Sequence, residues 1–126
     1  MAKSGRAFAD RKKIEVLSAA KTVEIHDCGT IFITTGAITI TLPSAEDAGK
    51  GWWCRITKSD TANQVSVTAT STLKGIGVDG AGAGVPLNGN FSLHEDGAIG
   101  SMVEIYSDGS QYYAFGLSDA ANGFNG

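Results

Sequence analysis

Ala37-Ile-Thr-Ile-Thr-Leu-Pro-Ser-Ala-Glu-Asp-Ala-Gly-Lys-Gly-Trp-Trp-Cys-Arg-Ile56 is the stretch whose reading decides the fold class. Ile38, Ile40 and Leu42 alternate with threonines, the period-two pattern of a half-buried strand. Pro43 ends that strand, because proline has no N–H to give to a ladder. Ser44 to Gly49 is long enough for one helical turn, with Ser44 as N-cap, Glu46 and Asp47 at the positive end and Gly49 as the stop. Trp52 and Trp53 then open a second strand. Adjacent strand residues point to opposite sides, so one indole enters the core while the other faces out or meets a partner.

The same signals recur outward from this segment. Ile14–Leu17, Lys21–His26 and Thr30–Thr35 read as strands, with Ile31 and Ile33 expected inward. Trp52–Lys58, Gln64–Ala69 and a looser stretch around Leu73, Ile76 and Val78 follow. Asn88-Gly89 reads as a hairpin turn between Val85–Leu87 and Asn90–His94, and Asp96-Gly97 as a further turn. Asp108-Gly109 joins Ser101–Tyr106 to Gln111–Leu117 in the clearest hairpin of the chain. About nine or ten short strands with no long helix predict an all-β fold, a compact antiparallel β-sandwich or barrel-like domain with an extended N-terminal arm. No repeat of solenoid period stands out. The expected organisation is a basic arm over 1–13, a β domain over 14–117, and a small polar tail over 118–126 with an exposed Phe124.

Composition narrows the class. The 126 residues hold 17 glycines and 2 prolines, a ratio suited to tight turns, and 42% hydrophobic residues, enough for one packed core. No apolar run approaches the ~20 residues of a membrane-spanning helix. No apolar stretch follows the first charged residues, so no secretory signal is expected and the protein is read as made in a reducing cytoplasm. Net charge is −3, divided unevenly: residues 1–13 carry five basic side chains against Asp10, or +4, and the other five basic and twelve acidic residues make the body −7. The arm residues Lys3, Arg6, Phe8, Arg11, Lys12 and Lys13 are either a solvated terminus or a segment that docks on an acidic partner. The acidic body argues against nucleic acid. Cys28 and Cys54 read as buried thiols rather than as a disulfide framework, and with His26 and His94 scattered no metal site and no cofactor is expected.

The patterns that suggest chemistry are weak. Ser92, His94 and Asp96 lie on one strand and run away from each other, whereas a triad converges from different segments. Asp79–Val85 alternates glycine without GxGxxG spacing or a following lysine, which disfavours a phosphate loop. Glu24 with Asp27, and Glu95 with Asp96, are acidic pairs beside turns, with nothing to set them across a cleft. The aromatics Trp52, Trp53, Tyr106, Tyr112, Tyr113 and Phe115 fit anchors at a subunit interface better than a stacking site for sugar or base. No enzyme is expected.

Four segments carry a resemblance: Lys21-Thr-Val-Glu-Ile-His-Asp-Cys-Gly-Thr-Ile-Phe32, Ala37-Ile-Thr-Ile-Thr-Leu-Pro43, Ala48-Gly-Lys-Gly-Trp-Trp-Cys-Arg-Ile56 and Glu104-Ile-Tyr-Ser-Asp-Gly-Ser-Gln-Tyr-Tyr-Ala114. Together they resemble a module recurrent in small structural proteins of tailed bacteriophages, the capsid decoration (cement) proteins and parts of head or tail fibres. The resemblance implies a non-enzymatic virion protein on the capsid surface, contacting the major capsid protein, self-associating as a homotrimer, and binding neither nucleic acid nor membrane. The arm would dock on the shell. The strand edge of Ile38, Ile40 and Leu42, together with Trp52, Trp53, Tyr112 and Tyr113, would form subunit contacts. The alternative it leaves open is a tail-fibre or adhesin module that binds host-surface carbohydrate.

Overall fold

Two mixed β-sheets packed face to face make up the computed structural model, which describes residues 11–125. The larger sheet orders its strands as β1 (Lys13–Leu17), β3 (Thr30–Thr34), β5 (Trp53–Lys58), β10 (Met102–Ser107), β11 (Tyr112–Leu117), β7 (Leu73–Val78) and β8 (Gly84–Leu87). The smaller orders β12 (Phe124–Asn125), β9 (Asn90–Leu93), β6 (Val65–Thr68), β4 (Ile38–Thr41) and β2 (Lys21–Thr22). One helical turn, α1 (Ala45–Ala48), falls where the sequence places it: Ser44 Oγ accepts the Asp47 N–H at 3.1 Å and Gly49 closes the turn with φ of 87°.

The all-β sandwich stands, but its strands are not antiparallel throughout. From β1 to β6 the chain alternates between the sheets, and each new strand lies parallel to the previous strand of its own sheet. It thus winds around the core before the β10–β11 hairpin enters between β5 and β7. The first turn of the winding takes 17 residues, Lys13 to Thr30, and the second takes 24, Thr30 to Cys54. Unequal turns leave no period in the sequence. Asn88-Gly89 is likewise not a hairpin: β8 pairs with β7 and β9 with β6, so this turn carries the chain from one sheet to the other.

Side chains facing between the sheets make one core, including Phe32, Ile40, Ile56, Val67, Leu93 and Ile105. Trp52 anchors it beside α1. Its ring meets Tyr112 edge-on at 6.0 Å, and its Nε1–H donates to the Ile25 carbonyl at 2.9 Å. Tyr112 donates its hydroxyl to the Pro43 carbonyl at 2.7 Å, and burial pushes its ionisation well above the usual phenol range. Phe124, expected on an exposed tail, is buried between the sheets, because β12 pairs with β9 and the ring lies over Gly77 and Gly116. A Cβ at Gly116 would sit 2.6 Å from that ring, so both glycines are needed for this close approach.

Among the described residues Lys58 is the one buried lysine. Its Nζ donates to the carbonyls of His94 at 2.6 Å, Glu95 at 3.3 Å and Gly97 at 3.4 Å, pinning the turn that leaves β9. Desolvation lowers its pKa from the ordinary lysine value, although Asp60, Asp96 and Glu95 pull the other way.

Cys28 and Cys54 are free thiols, the first half-buried and the second fully buried. Burial pushes the Cys54 thiol far above its ordinary pKa, so the thiolate that reacts is scarce as well as inaccessible. Native protein should therefore take up one equivalent of an aromatic disulfide reagent quickly, at Cys28, and a second only when denatured. Equal labelling of both thiols under native conditions would contradict this packing.

Candidate interaction surface

The outward faces of the two sheets differ sharply. On the smaller sheet the outward residues are Thr39, Thr41, Ser66, Thr68, Asn90 and Ser92, short polar side chains in register across three strands. On the larger sheet they are mostly apolar. Ile14, Val16, Ile76, Tyr106, Phe115 and Leu117 all lie there and are between 48% and 63% exposed. Half-buried Ile33, Trp53, Met102, Val78 and Tyr113 fill the spaces between them. Scattered apolar residues are normal on a surface, whereas these are contiguous across neighbouring strands.

Strand register arranges the face in three rows. In the first, Trp53 lies opposite Tyr106 and Tyr106 opposite Tyr113, with the two tyrosine rings stacked at 5.6 Å. Lys12 Nζ lies 6.0 Å from the Trp53 ring centre at one end, and Lys74 is paired with Tyr113 at the other. Gln111 Nε2 donates to the Tyr113 hydroxyl at 2.6 Å and fixes that ring. The middle row runs Ile14, Ile31, Arg55, Glu104, Phe115 and Ile76. At its centre Arg55 Nη2 donates to Glu104 Oε1 at 2.9 Å, so the charges in the middle of the face cancel each other. The third row runs Val16, Ile33, Thr57, Met102, Leu117 and Val78. A hollow of about 160 Å³ opens between the second and third rows, lined by Arg55, Met102, Glu104, Phe115 and Leu117.

The sequence-predicted contact residues divide. Trp53 and Tyr113 lie on this face. Trp52 and Tyr112, their neighbours, are core residues, as alternation requires. Ile38, Ile40 and Leu42 are also core, and β4 is not an edge strand, since β6 and β2 flank it. Side chains buried this completely within one chain have no surface to offer a second. Ile33, expected inward, is half-buried on the outer side instead, because Phe32 takes the core position beside it; Ile31 shares that side by register but is itself buried. Of the arm residues, Arg11 and Lys12 are exposed and Lys13 begins β1, with its Nζ donating to the His26 carbonyl at 3.2 Å. Lys3, Arg6 and Phe8 lie outside the described residues. Sequence reasoning missed Ile14, Val16, Ile76 and Leu117, and it noted Tyr106 and Phe115 without joining them to a surface.

Elsewhere the titratable groups serve turns. His94 Nδ1 accepts the Asp96 N–H at 3.1 Å, and Ser92 lies on the outer side of β9. Asp27 accepts the Glu24 N–H at 2.9 Å and lies 3.8 Å from Lys21 Nζ. Among the described residues no group of three His, Cys, Asp or Glu side chains is placed to hold a metal ion. No protein-family model matches the chain, and neither does any curated protein or solved structure.

Proposed function

We propose that the chain is a non-enzymatic virion structural protein, a decoration or cement protein that binds a phage capsid from outside, contacts the major capsid protein and bridges shell subunits. The observation that carries an assembly role is the outer face of the seven-stranded sheet. It is broad, open and apolar with its central charges paired, the character of a surface that meets protein over a wide area. The placement on a capsid comes from the motif resemblance, as does the expectation of three copies about a local three-fold axis. Mechanically, many modest contacts spanning neighbouring shell subunits resist outward pressure without any covalent step. The basic segment over 1–13, set against an acidic body, supplies a second contact by charge attraction.

The test is binding of the full chain to purified shells that lack it. Saturable binding at a fixed ratio to the shell subunit is expected, and Phe115→Glu should reduce it by about tenfold or more, since it places a charge in the apolar face on which assembly rests. A chain beginning at Arg11, which keeps β1 whole, should bind more weakly and with a shallower salt dependence. Absence of binding by the full chain would end the capsid role.

One feature favours the adhesin alternative. Trp53, Tyr106 and Tyr113 form an aromatic row of the kind on which sugar rings stack. Under that alternative the full chain binds a glycan and no shell, and Tyr106→Ala abolishes the glycan affinity. Glycan titration of the two proteins decides between them.

A further inference from the structure

The apolar face is complementary to itself, and we propose that its occupant is the same face of a second copy of this chain, packed sheet on sheet about a two-fold axis. The pairing rests on the assembly role proposed above and names the partner at that surface.

Size is the first argument. The rows cross six of the seven strands, and six strands each about 4.8 Å wide by three rows each about 6.8 Å wide make a face of roughly 29 by 20 Å. That is on the order of 600 Å² before side-chain relief is counted, close to the ~800 Å² per partner of a standard stable interface.

Symmetry is the second. Complementary groups lie at matching distances on either side of one line, the boundary between β5 and β10. Arg55 on β5 faces Glu104 across it in the middle row, and Trp53 on β5 faces Tyr106 across it in the first. One strand further out, Ile33 on β3 stands at the level of Leu117 on β11, which lines the hollow on the other side. A two-fold axis along that line, parallel to the strands, sets Arg55 against the partner's Glu104 and Trp53 against the partner's Tyr106. It also points Ile33 at the partner's hollow, whose volume of about 160 Å³ suits one branched aliphatic side chain. The central charges then form an alternating group of four. Desolvation offsets much of their attraction, so they fix orientation while the apolar rows supply affinity.

The third argument concerns closure. A three-fold ring needs two different patches that fit each other, whereas a two-fold contact uses one patch twice. Among the described residues the outer face of the smaller sheet is short and polar, with no second apolar face to complete a ring. The number implied is therefore two, in place of the three expected from the resemblance.

Sedimentation of the full chain tests the pairing. At about 10 μM, in the range of ordinary specific association, the wild-type chain should sediment as two copies. Arg55→Glu and Glu104→Arg each juxtapose like charges at the axis and should each weaken association by about tenfold or more. Mixing the two variants in equal amounts should restore the two-copy species, because each supplies the sign the other lacks. Recovery on mixing also demonstrates that both variants fold. A wild-type chain that stays single at hundreds of μM, one that forms trimers, or charge reversals without effect would each overturn the pairing. A single chain that still binds shells, with binding lost in Phe115→Glu, would assign the face to the shell and leave the assembly role standing. A single chain that binds no shell would overturn both.

Discussion

Trp52→Ala is expected to remove about 3–5 kcal/mol of stability, the usual cost of deleting a buried indole. For a domain of this size total stability is about 5–15 kcal/mol, so the variant gives up a large share of it. Three losses combine. The ring leaves a void against Tyr112, the edge contact at 6.0 Å goes, and the Ile25 carbonyl loses the donor that reached it at 2.9 Å. Trp52→Phe separates them: it keeps most of the packing and loses the N–H, so it should cost about 1–2 kcal/mol less than alanine. Urea denaturation, with the midpoint read at constant slope, gives both values. A Trp52→Ala midpoint close to wild type would mean that Trp52 is not the anchor of this core.

Lys58→Ala should be nearly as damaging, at about 2–5 kcal/mol, because it removes a buried four-carbon stem and three donors together. Lys58→Met restores the stem without the ammonium, so it should recover roughly half of that loss. The pH dependence distinguishes the two contributions. Lys58 has a folded pKa below its ordinary value of 10.5, so the folded state binds this proton less tightly than the unfolded chain does. Its contribution therefore opposes folding at neutral pH and below, and stability rises as pH climbs from the folded pKa towards 10.5. Lys58→Met should flatten that rise. Lys21 contributes with the opposite sign: Glu15 at 3.2 Å raises its pKa, and its stabilisation is lost as pH rises through that raised value. Comparing Lys58→Met with wild type cancels the Lys21 contribution, and an unchanged slope above neutral pH would contradict the proposed environment of Lys58.

Much of the fold is legible in local pattern. Ile38, Ile40 and Leu42 alternate because only one face of β4 is buried, and Ser44 and Gly49 bound α1 because their side-chain and backbone properties suit the two ends. Strand direction is not legible in this way. Asp-Gly and Asn-Gly turns advertise hairpins, and Asp108-Gly109 does join β10 to β11. The parallel winding of β1 to β6 has no such local mark, since its turns differ by several residues and its partners are distant in sequence.

Facing is hidden for a related reason. In Gln111–Leu117 the bulkier alternate set is Tyr113, Phe115 and Leu117, which pattern alone would place inside. The core instead takes Tyr112, Ala114 and Gly116, because Phe124, from the far end of the chain, occupies the space above the glycine. Thr30-Ile-Phe-Ile-Thr34 has the same ambiguity, apolar on both faces. Its two isoleucines lie on the outer side of the sheet, Ile31 buried there and Ile33 half-buried, only because Cys54 and Ile56 on β5 fix the parity. Strands apolar on both faces were the available signal that this sheet carries apolar side chains on its outer side as well as toward the core.

Hydroxyl-radical footprinting of the full chain, first dilute and then in its assembled form, tests the outer face most directly. Tyr106, Met102, Phe115 and Leu117 should be oxidised readily when dilute and protected by about tenfold when assembled. Ile25, which is 55% exposed and lies outside the three rows, should label equally in both states. Protection confined to the face would identify it as the contact surface. Unchanged labelling at Tyr106, Phe115 and Leu117 in the assembled protein would contradict that assignment.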